Sequence, residues 1–132
     1  MMKALLLAAL LFAEPATLKV DVTGLKSDRG TVRIALYDSE AKFIKEPFKA
    51  AVLPIQGKKA RWVLEALPPG EYAVAVVHDE NANGQTDKGA FGIPTEPYAF
   101  SNGAKALMGP PKWKEARFAV RAPGTSVEIR LR

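Results

Sequence analysis

The sequence has 132 residues, 48% of them hydrophobic, and carries a formal net charge of +5 without a single cysteine. This length suits one domain with one core and is too short for two. The absence of cysteine excludes disulfides, thiolate metal sites and a cysteine nucleophile, and the modest, scattered positive charge without a recognised motif argues against nucleic acid as a partner.

The N-terminal segment has the features of a secretory signal. Lys3 precedes an uninterrupted apolar run that ends at Phe12, and small residues follow it. Such a run is too short to span a membrane. We therefore predict a signal peptide over residues 1–13, with cleavage as late as residue 16 as an alternative, and a single mature domain over residues 14–132. The protein is then exported, periplasmic or extracellular, without membrane insertion of the mature chain. The competing interpretation is a buried first strand or helix.

After this segment the chain alternates between apolar and polar residues with the period of two that is typical of strands with one wet face. In chain order, the segments are LKVDV, TVRIALY, the weaker KAAVLPI, ARWVLEAL, ARFAV and SVEIRLR. EYAVAVVH is apolar on both faces, which predicts a central strand covered on both sides. About seven short strands separated by turn sequences predict an all-β fold, a small antiparallel β-sandwich.

Two segments depart from this alternation. SEAKFIKE, residues 39–46, has helical composition, with Ser39 in position to cap a helix. Residues 89–115 are rich in glycine and proline, yet they contain several large apolar side chains. A merely flexible loop would not carry so many of these, so we predict one long ordered loop that packs against the sandwich.

Polar side chains alternate along the segment that leaves the central strand, at Asp79, Asn81, Asn83, Gln85 and Asp87. They match positions 1, 3, 5, 7 and 9 of an EF-hand-type calcium loop, with Gly84 at the sharp turn of position 6. Ala90 stands where the bidentate glutamate of position 12 belongs, and Glu96 is a candidate to replace it.

This spacing predicts a weak site for a calcium-like cation, with a dissociation constant of roughly 10⁻⁴ to 10⁻³ M. The alternative is a polar turn, because Asn-Gly is a strong hairpin signal and both Asn and Asp cap their own backbone.

His78 is the one histidine of the sequence and the candidate for a hydrolase centre. A general base oriented by a neighbouring carboxylate would need a nucleophile such as Ser101. No nucleophile elbow is present, and one histidine cannot form a zinc site with several histidines. The alternative is a structural histidine at the edge of the core that bonds a backbone group. We predict that the protein is not an enzyme, with a His78 hydrolase as the least favoured function.

The long loop offers a second binding hypothesis, in which aromatic side chains contact an envelope glycan or a small ligand. The candidate residues are His78, Phe91, Glu96, Tyr98, Phe100, Ser101, Asn102 and Trp113. Against it, such aromatic residues more often anchor an irregular loop to the core.

Three motifs in order, LPPGEYAVAVVHDENANGQTD, FGIPTEPYAFSN and MGPPKWKEARF, resemble the bacterial domain of unknown function 2141 family. The resemblance covers nearly the whole mature chain and implies a small, exported bacterial protein. The PPGEY strand start is also similar to prealbumin-like and carboxypeptidase-regulatory-like sandwiches, which belong with immunoglobulin-like folds and are commonly non-catalytic. The resemblance implies a fold and no reaction.

We therefore predict an exported, non-enzymatic binding or structural module, with calcium as the one candidate cofactor and an unknown envelope component or small ligand as its partner.

Overall fold

The computed structural model describes residues 14–84 and 96–131, so the predicted signal peptide over residues 1–13 lies outside the described residues. The strands found there are β1 (Ala16–Thr23), β2 (Thr31–Tyr37), β3 (Lys49–Leu53), β4 (Ala60–Leu67), β5 (Gly70–Asp79), β6 (Tyr98–Phe100), β7 (Phe118–Val120) and β8 (Gly124–Arg130). A 3₁₀ turn at Ser101–Gly103 and one short helix, α1 (Trp113–Ala116), complete the described elements.

The strands form two sheets. The smaller sheet has the order β4-β1-β8, and the larger has the order β3-β2-β5-β6, with β7 paired to the first residues of β5. All pairs are antiparallel except β1 with β8, which run parallel with Leu18 opposite Thr125. The prediction of a small all-β sandwich is confirmed, and its two sheets are compatible with the prealbumin-like similarity of the PPGEY motif.

The core lies between the two sheets and follows the alternation of the sequence. Leu18, Val20 and Val22 of β1 are completely buried, while the residues between them face outward or are only partly covered. Val32 and Leu36 of β2 meet them from the larger sheet and are equally buried. Period-two alternation therefore assigns the inner face correctly, because successive side chains of a strand point to opposite sides.

The central strand β5 is covered on both faces, as its sequence predicts. Val74 and Val76 belong to the main core between the sheets. Ala73, on the opposite face, is also completely buried, beneath a second cluster that includes Phe43 and Ala116. This cluster is formed by the chain segments 39–46 and 100–116, which fold over the outer surface of the larger sheet.

The predicted helix at residues 39–46 is wrong, because the structure has turns there. Phe43 donates its backbone N–H to Glu40 at 3.3 Å and Lys45 donates to Lys42 at 2.8 Å, and Ile44 has a positive φ of 63°. A non-glycine residue with that φ interrupts a right-handed helix. Burial of Phe43 against the larger sheet therefore overrides the local helical preference.

The LPPG turn that starts β5 is held by a tyrosine. The hydroxyl of Tyr72 donates to the carbonyl of Pro68 at 2.5 Å, four residues back along the chain. Burial of the phenol, followed by the nearby charge of Asp38, raises the pKa of Tyr72.

Within residues 14–84 and 96–131, no helix has the length and apolar character that crossing a membrane requires.

Candidate functional site

The candidate site is built at the end of β5, where the strand places two polar residues inside the protein. His78 is 0% exposed and Asp79 is 1% exposed. They pair with Val32 and Thr31 at the start of β2. Buried polar groups require hydrogen-bond partners, so the partners of these two residues determine what the site can do.

The carboxylate of Asp79 organises the loop that follows it. One oxygen accepts the backbone N–H of Asn83 at 3.2 Å, and the other accepts the backbone N–H of Gly84 at 2.8 Å. Ala82 donates to the carbonyl of Asp79 at 3.1 Å, and both Ala82 and Gly84 have positive φ, 52° and 76°. The chain therefore curls back around a single buried carboxylate.

Asn81 lies on the rim of this curl, where its side-chain oxygen accepts the backbone N–H of Asn83 at 3.3 Å. Gln85 and Asp87, the remaining members of the predicted cation loop, lie outside the described residues. Among residues 14–84 and 96–131, no group of three or more acidic, histidine or cysteine side chains is placed to hold a metal ion. The calcium site thus stays a prediction.

Gly30, in the turn directly before β2, lies against the start of the loop, and the sequence analysis did not select it. A Cβ added there would lie 2.0 Å from the backbone oxygen of Asp79 and 2.7 Å from that of Glu80. No real side chain fits at such distances, and Gly30 also has a φ of +73°. The SDRG sequence identifies a turn, but only the tertiary fold shows that the turn lies directly against Asp79.

His78 joins two chain segments. Its ring Nε2 lies 2.7 Å from the carbonyl of Arg29, and its backbone N–H donates to the carbonyl of Pro97 at 2.9 Å. A carbonyl only accepts, so Nε2 carries the proton. Nδ1 is buried without a hydrogen-bond partner in the part of the chain that the structure describes. This is the arrangement expected of a structural histidine that bonds a backbone group.

Ser101 and Asn102 join the two ends of the following loop. The hydroxyl of Ser101 donates to the carbonyl of Ala116 at 2.6 Å and accepts the backbone N–H of Val74 at 3.0 Å. The amide of Asn102 donates to the carbonyl of Arg117 at 2.5 Å. Ser101 therefore hydrogen-bonds backbone groups beside Val74, four residues before His78 along β5.

The aromatic candidates pack on one another over the outer face of β5. The ring of Phe43 lies 5.7 Å from Trp113 and 6.5 Å from Phe100, and Tyr98 lies 5.9 Å from Phe100. Tyr37 joins the same cluster, and burial raises the pKa of its phenol. Sequence reasoning missed Tyr37 and Phe43, although Phe43 stands out as an aromatic residue within a charged segment.

The two candidate regions are neighbours along β5. Tyr98 pairs with Val77, and Pro97 accepts the backbone N–H of His78. Glu96, proposed as a replacement calcium ligand, is buried at 7% exposure, while Phe91 lies outside the described residues. The structure thus brings His78, Tyr98 and the start of the polar loop together at the end of β5.

A separate open groove of about 820 Å³ lies along the smaller sheet. Asp21, Arg61 and Glu128 line it, and none of the residues predicted for the site takes part. Arg61 and Asp21 form a salt bridge of 2.7 Å across β4 and β1. The hydrogen bond and charge of Asp21 raise the pKa of Arg61. Both groups are solvent-exposed, so the pair contributes little to stability.

A family model described as "Uncharacterized protein conserved in bacteria (DUF2141)" matches residues 20–128. The matched region runs from β1 into β8 and includes the polar loop, the aromatic cluster and both sheets. It agrees with the resemblance carried by the sequence motifs. No curated protein and no solved structure matches the chain.

Proposed function

Because this chain belongs to that bacterial family, whose description states no activity, we propose its function from its own residues. The protein is an exported, non-enzymatic module of the bacterial envelope, and the polar loop after β5 binds a calcium-like cation weakly. The proposal of export rests on the signal pattern of residues 1–13. The proposal of a bound cation rests on the geometry of the loop after β5.

The observation that carries the cation proposal is the curl of the chain around Asp79. The N–H groups of Asn83 and Gly84 converge on its carboxylate, which turns the loop back on itself near Asn81. A calcium loop likewise needs a sharp turn that folds the chain around one ion, and Gly84 stands at the position of that turn. Each carboxylate oxygen has two lone pairs, so an oxygen that accepts one N–H retains a lone pair for a cation.

A non-enzymatic role is supported by the partners of the reactive side chains. Nε2 of His78 bonds the carbonyl of Arg29, and the hydroxyl of Ser101 bonds the carbonyl of Ala116. Both groups hold chain segments together, and no Ser–His hydrogen bond forms between them. The aromatic rings likewise pack on one another, which makes the glycan-binding hypothesis the weaker of the two binding functions.

The test is thermal melting of residues 14–132 after chelation and during a calcium titration. An ion that binds only the native state stabilises it by about 2.7 kcal/mol at 100 times its dissociation constant. For a domain of this size the melting temperature then rises by several degrees. A magnesium titration in parallel tests whether the site prefers the larger ion.

Asp87→Asn is the informative variant, because it removes the charge of a predicted ligand and leaves in place the Asp79 carboxylate that organises the loop. We expect it to lose most of the calcium-dependent rise. Glu65→Gln, at an exposed position of β4, removes a carboxylate charge in the same way and is the matched control. It should keep the full response. No rise in the unaltered protein, or an equal rise in Asp87→Asn, would make residues 79–87 a polar turn without a cation.

A further inference from the structure

The loop between the 3₁₀ turn and α1 carries two adjacent apolar side chains at its tip. Leu107 is 78% exposed and Met108 is 108% exposed, against 65% for Val52, the next large apolar residue among those described. Single apolar residues on a surface are ordinary. Two neighbouring side chains that are both almost completely in water require an explanation.

The base of this loop is firmly held. Ser101 and Asn102 bond the carbonyls of Ala116 and Arg117, which joins the two ends of the loop. Pro111 is buried, and the chain beyond it is anchored by the ring contact between Trp113 and Phe43. The structure therefore presents the tip outward from a fixed base.

The backbone at the tip also adopts an unusual conformation. Met108 has a φ of 57°, and the next residue, Gly109, has a φ of 135°. A methionine with positive φ is disfavoured relative to the ordinary regions. The same region of φ occurs at other turns of the described residues, such as those at Ile44 and Ala82, so it marks the tip as a tight turn.

The charged residues in this stretch of the chain have one sign. Between Ser101 and Lys114 the chain contains no acidic residue, and its three cationic residues, Lys105, Lys112 and Lys114, are all exposed. The nearest following carboxylate, Glu115, accepts the backbone N–H of Lys112 at 3.0 Å. Along the chain, the apolar tip is therefore preceded and followed by exposed lysine residues.

We propose that this tip docks on an anionic lipid surface. Leu107 and Met108 enter the boundary between headgroups and acyl chains, and Lys105, Lys112 and Lys114 contact the anionic headgroups. The protein thus contacts the bilayer from one side without crossing it. The combination of apolar insertion and basic flanks is what peripheral membrane attachment requires.

A lipid surface fits the tip better than a protein partner does. A specific protein interface buries about 1,200–2,000 Å² in total and needs an extended complementary surface. Two side chains on a projecting loop present far less than that. Insertion into a headgroup layer needs only a projecting apolar tip, and the flanking lysines supply attraction toward negative charge.

The experiment measures flotation of residues 14–132 with vesicles in the presence of a chelator. This chain contains every described strand and omits the apolar residues 1–13, which would bind lipid on their own. Vesicles contain equal parts of phosphatidylglycerol and phosphatidylcholine, or phosphatidylcholine alone. We expect binding to the anionic vesicles that weakens in high salt, and much weaker binding to the neutral ones.

Two variants of the tip separate its apolar and basic contributions. Leu107→Ser with Met108→Ser should lower the affinity for anionic vesicles by roughly tenfold or more. Lys105→Gln should lower it by about fivefold and reduce the salt dependence. Val52→Ser with Lys26→Gln removes one apolar side chain and one charge at exposed positions away from the tip and should leave binding unchanged. Circular dichroism and melting temperatures should agree among all variants, since every altered side chain is exposed.

Three results would overturn the proposal. The first is that the unaltered protein does not float with anionic vesicles. The second is that the Leu107→Ser, Met108→Ser variant floats as well as the unaltered protein. The third is that anionic and neutral vesicles bind the protein equally. Analytical ultracentrifugation tests the alternative that the tip binds a second copy of this chain. Self-association that is lost in Leu107→Ser with Met108→Ser would assign the tip to a second copy of this chain instead of a lipid surface.

Discussion

The polar loop after β5 and the loop from Ser101 to Ala116 are both irregular, yet they are held in opposite ways. The first turns around one charged group, the carboxylate of Asp79, with Gly30 pressed against its start. The second is spread over an aromatic cluster centred on Phe43 and is tied at its ends by Ser101. The first loop therefore depends on one carboxylate, whereas the second is held by both ring packing and hydrogen bonds.

The largest effect is expected for Gly30→Ala. This substitution disturbs the first loop through the adjacent turn before β2. The new Cβ would lie 2.0 Å from the backbone oxygen of Asp79, and residue 30 has a φ of +73°. Either the start of β2 or the loop must therefore move. We expect a loss of about 4 kcal/mol from overpacking and positive φ together, measured by urea unfolding. Gly57→Ala is the control, because its φ is +62° but no atom lies within 4 Å. Equal losses at both positions would show that Gly30 is not a packing constraint.

Phe43→Ala should produce the next largest effect, this time in the second loop. Phe43 is 8% exposed and contacts both Phe100 and Trp113. Its truncation should cost about 3 kcal/mol, at the lower end for buried phenylalanine because the cluster lies near the surface. Trp113 fluorescence should shift toward the red as its ring becomes hydrated. Phe48→Ala, at 40% exposure, should cost clearly less.

Asp79→Ala tests whether one carboxylate holds the polar loop. It removes the acceptor of two backbone N–H groups and should cost about 2–3 kcal/mol. Hydrogen exchange locates the effect, because the amides of Asn83 and Gly84 should lose protection while that of Val76 keeps it. Uniform loss of protection across the core would contradict a local role for Asp79.

Ser101→Ala should give the smallest effect, because the second loop has other attachments. The hydroxyl bonds to Ala116 and Val74 are lost, with an expected cost of about 1–2 kcal/mol in chemical unfolding. Ser101→Thr keeps the hydroxyl and should lose less if the added methyl group is accommodated. A loss as large as that of Phe43→Ala would mean that the hydrogen bonds, and not the rings, hold this loop.

Sequence reasoning predicted more of the sandwich than of the site. The alternation of Leu18, Val20 and Val22 predicts a strand and its inner face, because both depend only on neighbouring residues. Asp79 and Ser101 were selected for their chemistry, but the sequence could not show which backbone groups they bond. Ser101 bonds groups on β5 and at the end of α1, whose positions depend on the assembled fold. Asp79 bonds N–H groups of its own loop, and the positive φ of Ala82 and Gly84 sets the course of that loop.

Two short segments show where local patterns are insufficient. Tyr98–Phe100 forms β6, yet three residues are too few to display an alternation. Residues 39–46 have helical composition, but burial of Phe43 and the positive φ of Ile44 give turns instead. In both cases contacts with β5 or with its outer face outweigh the weak preference of a short segment.

The sequence by itself determined the all-β class, the inner face of each long strand, the coverage of β5 on both sides and the family. Each of these depends on residue types and spacing within a short stretch or along a motif. Only the tertiary structure decided the parallel pairing of β1 with β8, the contact of Gly30 with Asp79 and the packing of Phe43 on Trp113. These contacts join residues that are far apart in the chain, and their geometry is set by how the two sheets pack together.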